Sequence, residues 1–292
     1  MVTKPECVWP LAAELGEGPV WLESEQALYF VDIKGQNIRR WSEAKQTSWR
    51  MPEPIGFVQP MQNGDWIAGL KSGLYQFNKK EFERGQLNLV LAPEPNQPSN
   101  RLNDAYTDSD GYLWFGSMDD AERAPTGALY CVDHLGSAIA KDAGYVITNG
   151  PCTSPNGRIF YHTDTLAKTI YAFDIESNQT LANKRTLIQI ERGYPDGTAV
   201  DAQGCLWVAL FAGSAVQRYS SSGVLLQTIE FPCPNITKIA FGGADLRTAY
   251  ATTAWKGMTP KQRHEAPLAG GLFSFEVDVP GLPQSLIRRG FA

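Results

Sequence analysis

The amino-acid sequence predicts an all-β fold, a six-bladed β-propeller with four-stranded antiparallel blades. A pair of short apolar strands, bounded by turns rich in Gly, Asn and Asp, recurs along the 292 residues. The cores of the central strands repeat roughly every 37 to 47 residues, a period that is typical of propeller blades. Helical periodicity is almost absent, so helical solenoids of similar repeat length match poorly.

Six copies of the repeat follow one another along the chain. The cores of their central strands are YFVD from Tyr29, WIAG from Trp66, LWFG from Leu113, IFYH from Ile159, LWVA from Leu206 and AYAT from Ala249. The sixth copy begins at Lys238 and is completed by GGLFSFEVD near Asp278. We interpret residues 1–292 as a single propeller domain, in which recurring tryptophans such as Trp66, Trp114 and Trp207 form blade core.

The overall composition excludes several classes of function. Apolar residues make up 43% of the chain and charged residues 20%, which allows a sizeable core. The formal net charge of -5 argues against binding to nucleic acid or an anionic membrane, because both require clustered Lys and Arg. The expected partner is therefore a small neutral or polar molecule.

The cysteines and the N-terminal segment indicate a reducing compartment. The 5 cysteines are widely spread, without the paired spacing of zinc or redox motifs, and we expect reduced core thiols. The N-terminal residues lack the basic and apolar regions of a signal peptide, and no apolar stretch approaches a membrane span. We expect a cytoplasmic protein, and a monomer because a closed propeller leaves no long strand edge to pair.

Polar residues stand beside Gly, Pro or Asp at matched points, ahead of the first apolar strand of four copies. They are Glu17 in LGEGP, Arg101, Asn103 and Asp104 in RLND, Asn149 in TNGP, and Asp196 in YPDG. Each motif alone is typical of a turn, but four at the same phase predict a common site at one mouth of the channel. Carboxylate and carboxamide oxygens without His or Cys favour hard cations such as Ca²⁺, Mg²⁺ or Mn²⁺.

These motifs carry a family resemblance. LGEGPVW, RLNDAYTDSDGYLWFGSM, ITNGP and YPDGTAVDAQGCLWVA resemble the gluconolactonase and regucalcin (senescence marker protein) family of six-bladed propellers. Within it, ITNGPCTSPNGRIFYHTDTLAKTIYAFD and PLAGGLF are most similar to bacterial lactonases of the xylonolactonase and arabinonolactonase kind. The resemblance implies one divalent metal ion (Ca²⁺, Mg²⁺, Mn²⁺, Zn²⁺ or Fe²⁺) on Glu17, Asn149 and Asp196, with Arg101 and Asn103 contacting substrate hydroxyls.

The implied activity is metal-dependent hydrolysis of an aldonic lactone, a pentono- or hexonolactone, to the free sugar acid. Asp196 is the candidate general base, since a carboxylate beside the metal can reach the attacking water. Some family members carry a Glu shortly after the segment that reads GSM here, whereas this chain has Asp119, Asp120 and Ala121 in that region. This difference bears on substrate preference.

Three alternatives stay open at this point. The same ligands would serve a calcium-binding regulatory propeller without turnover, or a hydrolase of other esters. A protein-interaction propeller would show no cation dependence. A serine hydrolase is disfavoured because the sequence has no G-x-S-x-G elbow.

The sequence also leaves open whether His162 is a structural core residue or lines the pocket.

Overall fold

The strands build six separate sheets. The computed structural model describes residues 4–78, 80–81, 84, 86–133 and 135–288. Within these residues each sheet contains four antiparallel strands, and the innermost strands of successive sheets contact one another around a central channel. The predicted six-bladed propeller is confirmed.

The strands of blades 1 to 5 follow chain order from the channel outward. In chain order the strands are β1 (Glu6–Trp9); β2 (Gly16–Leu22), β3 (Ala27–Asp32), β4 (Asn37–Ser42) and β5 (Lys45–Arg50) in blade 1; β6 (Ile55–Pro60), β7 (Trp66–Leu70), β8 (Gly73–Phe77) and β9 (Asn88–Leu91) in blade 2; β10 (Asn100–Thr107), β11 (Leu113–Asp119), β12 (Gly127–Val132) and β13 (Ala138–Tyr145) in blade 3; β14 (Thr148–Thr153), β15 (Ile159–Asp164), β16 (Thr169–Ile175) and β17 (Leu181–Gln189) in blade 4; β18 (Tyr194–Val200), β19 (Leu206–Phe211), β20 (Ala215–Tyr219) and β21 (Leu225–Glu230) in blade 5; and β22 (Asn235–Gly242), β23 (Thr248–Ala254) and β24 (Leu272–Glu276) in blade 6. A short helix, α1 (Pro260–Glu265), lies between β23 and β24.

Blade 6 joins distant parts of the chain. Its outermost strand is β1, which pairs with β24 in a register that places Cys7 opposite Phe273. The sequence prediction ended the sixth blade near Asp278 and did not include β1, so the predicted blade was incomplete. Hydrogen bonds between β1 and β24 close the ring, which leaves no gap between the first and last blades.

The segment after β24 covers one end of the channel. Gly281 forms an isolated bridge with Asp201 of blade 5, and Ile287 forms another with Met61 of blade 2. Between these two points, Pro283 and Gln284 lie against the last residues of several innermost strands. The end of the channel formed by the C-terminal ends of the innermost strands is therefore covered, which leaves the opposite end for a ligand.

Aromatic side chains fill the spaces between neighbouring blades. The ring centroids of Trp114 and Phe160 lie 4.3 Å apart across blades 3 and 4, and those of Trp66 and Tyr29 lie 4.5 Å apart across blades 2 and 1. Trp207 is also buried and contacts aromatic residues of blade 6. These contacts confirm the prediction that the recurring tryptophans are blade core.

Two of the repeated turns contain a buried aspartate that binds a core tryptophan. In VDAQGCLW, Asp201 Oδ1 accepts the backbone N–H groups of Gln203 and Cys205, and its Oδ2 accepts the indole N–H of Trp207 at 2.9 Å. In TDSDGYLW, the corresponding aspartate accepts the indole N–H of Trp114 at 2.8 Å. The D-x-x-G-x-L-W pattern therefore fixes both the turn and the buried tryptophan of the next strand.

The cysteines are unpaired, and the helices are short. All five cysteines are free, and only Cys7 is partly exposed. Within the described ranges, no helix has the length and apolar character that a membrane crossing requires.

Candidate active site

Five of the six polar residues predicted from four motifs line one cavity at the uncovered end of the channel, and the sixth, Asp104, does not line it. A cavity of about 260 Å³ is lined by Glu17, Arg101, Asn103, Asn149 and Asp196. These five side chains come from the innermost strands of blades 1, 3, 4 and 5. The prediction that they share one channel mouth agrees with this geometry.

The five residues lie within the innermost strands, whereas the sequence analysis placed them ahead of those strands. Every innermost strand has a register shift against its neighbour, between Glu17 and Val20 in β2 and between Asn149 and Cys152 in β14, for example. At these β-bulges the strand leaves the regular ladder, so nearby side chains can be directed into the channel. The Gly and Pro residues that directly follow Glu17 and Asn149 therefore lie in the bulges.

Gly150 shows why the bulge sequence is restrictive. Its backbone φ is +58°, in the left-handed region that favours glycine. A Cβ atom at this position would lie 2.6 Å from Thr163 Oγ1 and 2.7 Å from Thr198 Oγ1. The neighbouring strands thus lie too close to Gly150 for a larger residue. This close packing holds the backbone at Asn149 in place.

Glu17 and Asp196 form a buried pair of carboxyl groups. Each residue is only 5% exposed, and Glu17 Oε2 accepts the backbone N–H of Gly18 at 2.8 Å. Burial raises the pKa of both carboxyl groups, and negative charge nearby raises it further, that of Asp104 for Glu17 and that of Glu17 for Asp196. Asp196 Oδ1 is buried without a hydrogen-bond partner in the described part of the chain.

A chain of hydrogen bonds orients the amide groups of the site. Asn103 Nδ2 donates to the Thr148 carbonyl at 2.7 Å and to Asn149 Oδ1 at 2.8 Å, while Asn103 Oδ1 accepts from Arg101 Nη1 at 2.5 Å. Asn149 Nδ2 donates to Thr165 Oγ1 at 3.0 Å. Asn103 therefore fixes the orientation of both Arg101 and Asn149, a role that the sequence did not predict.

The two aspartates after GSM have different roles. Asp119 accepts backbone N–H groups of its own turn, those of Ala121, Arg123 and Ala124. Asp120 Oδ1 accepts Arg101 Nε at 3.0 Å and Lys34 Nζ at 2.5 Å, and its Oδ2 lies 3.7 Å from Lys71 Nζ. Asp120 thus holds Arg101 from the side of blades 1 and 2.

Several cavity residues were missed by the sequence analysis. Glu122 lines the cavity and forms an ion pair with Lys256, which follows β23 of blade 6. Leu166, Tyr194 and Phe211 give the same cavity an apolar part. Glu122 lies within GSMDDAERA, the segment that was compared with the family pattern, but only Asp119, Asp120 and Ala121 were considered there. Lys256 stands in a loop that carries no repeat, so the sequence did not point to it.

His162 belongs to the core between blades 3 and 4. It is fully buried in β15, its ring stands edge-on to Tyr145 with 4.8 Å between centroids, and it does not line the cavity. Both ring nitrogens lack a hydrogen-bond partner within the described residues. Of the two interpretations left open by the sequence, this geometry favours the structural one. Burial lowers the pKa of His162 to about 3.

The lowered pKa of His162 predicts a pH-dependent stability. The unfolded chain binds a proton at this side chain below pH ~6.5 and the folded chain does not, so the free energy of unfolding decreases as the pH falls toward 3. Between pH 7 and pH 5 we expect the wild type to lose about 2 kcal/mol more than His162→Leu, as measured by urea unfolding. The exposed His264 gives the control, because His264→Leu should keep the wild-type loss. Equal losses in wild type and His162→Leu would contradict the prediction.

The donor atoms of the site fit a hard divalent cation. Glu17 and Asp196 present carboxylate oxygens, and Asn149 Oδ1 keeps a second lone pair beside its bond from Asn103. A cation would satisfy the unpartnered Asp196 Oδ1 and reduce the repulsion between the two carboxylates. Among the residues that the structure describes, no three His, Cys, Asp or Glu side chains are grouped to hold a metal; the predicted ligand set has two such residues, and its third member is Asn149.

Comparisons with known proteins agree with this fold and motif pattern. The chain is 32% identical over 289 residues to 6-deoxy-6-sulfogluconolactonase of Pseudomonas putida, with 96% of this chain and 97% of the relative covered. It is 35% identical to regucalcin of Homo sapiens, covering 92% and 93% of the two chains. The solved structure of a luciferin-regenerating enzyme superposes with a TM-score of 0.90 at 26% identity, covering 97% of this chain and 99% of the other.

A family model also matches most of the chain. The model described as the SMP-30/Gluconolactonase/LRE-like region matches residues 15–255, a span that includes all five predicted site residues. The match covers well over half of the chain. The chain therefore belongs to the SMP-30/gluconolactonase/LRE-like family.

Proposed function

We propose that the chain hydrolyses the lactone of a sugar acid in the cavity at the uncovered end of the channel. The observation that carries this proposal is the convergence of Glu17, Asn149 and Asp196 with Arg101 and Asn103 in one cavity. A gluconolactonase-type name among the relatives, that of the Pseudomonas putida protein, supports the reaction class. We further propose that a divalent cation binds to Glu17, Asn149 and Asp196, and that the substrate is a pentono- or hexonolactone.

The bound cation would supply Lewis-acid chemistry, polarising the lactone carbonyl group. Asp196 is the proposed general base for the attacking water. A carboxylate has two oxygens, so one can hold the cation while the other accepts the proton of the attacking water. The carboxyl group of Glu17 beside it contributes negative charge that keeps the site selective for cations.

The remaining cavity residues would bind and orient the sugar. Arg101 is held by Asp120 on one side and Asn103 on the other, so its guanidinium plane is fixed before substrate arrives. A fixed donor group orients a hydroxyl with less loss of entropy than a mobile one. Tyr194 and Phe211 offer aromatic surface to the apolar C–H face of a sugar ring.

The proposed function is tested with a panel of pentono- and hexonolactones, following proton release. Chelator-treated protein should have little activity above spontaneous hydrolysis, and one or more of Ca²⁺, Mg²⁺, Mn²⁺, Zn²⁺ and Fe²⁺ should restore turnover. Glu17→Gln is the matched variant, because it keeps the side-chain shape and removes one ligand charge. Turnover that is indifferent to chelation and to Glu17→Gln would contradict the proposed cation site.

A cation-binding propeller without turnover is the second candidate. It is supported by the relatives named regucalcin, including the 35% identical human protein. Tight cation binding with no hydrolysis of any lactone or aryl ester in the panel would favour this candidate. Hydrolysis of aryl esters alone would indicate a different ester substrate at the same site.

A further inference from the structure

We infer that Asp104 and Lys238 form a buried charge pair beneath the cavity that sets the affinity of the Glu17–Asp196 site for a divalent cation. This inference rests on the proposed function, because it assumes a cation at those carboxylates. Asp104 belongs to the RLND motif but was given no role by the sequence, and Lys238 was not singled out; neither residue lines the cavity at the uncovered end. Both are proposed as positioning residues, which act through the ligands.

The pair is well formed and almost free of solvent. Lys238 Nζ donates to Asp104 Oδ1 at 2.5 Å, and the side chains of Lys238 and Asp104 are 9% and 2% exposed. Asp104 Oδ1 also accepts the backbone N–H of Ala105, and its Oδ2 accepts the backbone N–H of Gly150 at 2.9 Å. A buried charge with these partners interacts strongly with other charges nearby, since little water screens it.

Both members of the pair contact backbone next to a proposed ligand. Gly150, which donates to Asp104, directly follows Asn149. A Cβ atom at Gly197 would lie 2.4 Å from Cγ of Lys238, so the lysine stem packs against the residue that follows Asp196. Bulge residues of blades 3, 4, 5 and 6 therefore meet at this ion pair, beside the backbone that carries Asn149 and Asp196.

The lysine of the pair also faces the covered end of the channel. Lys238 lines a second cavity of about 90 Å³, which is bounded by later residues of the same innermost strands and by Leu282–Ser285 of the C-terminal segment. The electrostatic effect reaches the ligands, because the charge of Asp104 raises the pKa of Glu17 and of Asp196, while that of Lys238 lowers the pKa of Glu17. In the wild type the attraction of Asp104 for a bound cation and the repulsion by Lys238 therefore largely cancel.

Removing one charge at a time should therefore move cation affinity in opposite directions. Asp104→Asn leaves the Lys238 ammonium uncompensated, which repels a cation. Lys238→Met keeps the aliphatic stem over Gly197 and leaves the Asp104 carboxylate uncompensated, which attracts a cation. In the double variant Asp104→Asn/Lys238→Met, both charges are removed, so the two positions together are again neutral.

The experiment is calorimetric titration of chelator-treated protein with Ca²⁺ and with Mn²⁺. We expect Lys238→Met to bind about tenfold or more tightly than the double variant, Asp104→Asn about tenfold or more weakly, and the wild type close to the double variant. Arg218→Met is the matched control. It removes the positively charged partner of buried Asp201, a pair that lines neither cavity, and should leave the affinity for the metal ion unchanged. Glu17→Gln should lose binding.

A purely structural role would give a different order of affinities. Weakening in all three variants, with the double variant weakest, would overturn the inference while leaving the proposed cation site intact. If Asp104→Asn does not fold, the comparison of Lys238→Met with the double variant decides, because these two differ only in the charge at position 104. A wild type that binds neither Ca²⁺ nor Mn²⁺ would overturn both the inference and the proposed cation site.

Discussion

Asp196→Asn is expected to reduce lactone hydrolysis by about a thousandfold or more while the metal-free protein stays folded. The substitution removes the proposed general base and one charged ligand, and each of these is worth orders of magnitude in rate. The side-chain shape is kept. Because burial and the charge of Glu17 raise the pKa of Asp196, its charged form destabilises the fold above the pKa of the unfolded chain. Asn at this position should therefore match or exceed the wild type in stability when the metal is removed.

Two measurements on the same variant separate this result from simple damage. Rates are compared at saturating cation, and urea unfolding is compared in excess chelator. Asp119→Asn is a suitable control, since Asp119 accepts hydrogen bonds from its own turn and does not line the cavity. Wild-type turnover in cation-loaded Asp196→Asn would refute the role of Asp196. If Asp196→Asn is much less stable than the wild type in excess chelator, the electrostatic account is refuted.

Asp201→Ala is expected to lower the free energy of unfolding by about 3 to 5 kcal/mol, the usual cost of breaking a buried ion pair. Asp201 is fully buried, lies 2.7 Å from Arg218 Nη2 and accepts the indole N–H of Trp207. The variant leaves the arginine charge without its partner and the indole N–H unsatisfied. The loss should appear in the urea midpoint with little change in the slope of the transition.

An exposed aspartate in a comparable turn provides the control. Asp245 has a side chain that is 67% exposed and lies 3.8 Å from Arg247. Asp245→Ala should change the free energy of unfolding by no more than about 0.5 kcal/mol. Similar losses for Asp201→Ala and Asp245→Ala would show that the buried network contributes no special stability.

The blades could be predicted because each one repeats local information. The D-x-x-G-x-L-W pattern encodes a turn, a buried strand and the partner of its tryptophan within about eight residues. The strand Glu6–Trp9 could not be predicted in the same way. It has four residues, no turn signature of its own and a partner at the far end of the chain, so its pairing is decided by ring closure.

The site was predictable in composition and less so in arrangement. Glu17, Asn149 and Asp196 were found because each stands in a Gly- or Pro-containing motif at the same phase of the repeat. Their place within the strands depends on bulges, which alter hydrogen bonding without a unique sequence pattern. Lys238 escaped notice because KIAFGG is an ordinary start of a strand, and its buried partner lies 134 residues earlier.

The blade that joins both ends of the chain imposes an order on biosynthesis. The residues of β1 are translated before those of blades 1 to 5, but Cys7 pairs with Phe273, which is translated after all five of those blades. Until then β1 has no native partner, and blade 6 lacks its outer strand. Long-range closure of this kind slows folding and leaves strand edges open to wrong partners. A nascent propeller thus completes its sixth sheet only after β24 has been translated, when β1 first meets its partner.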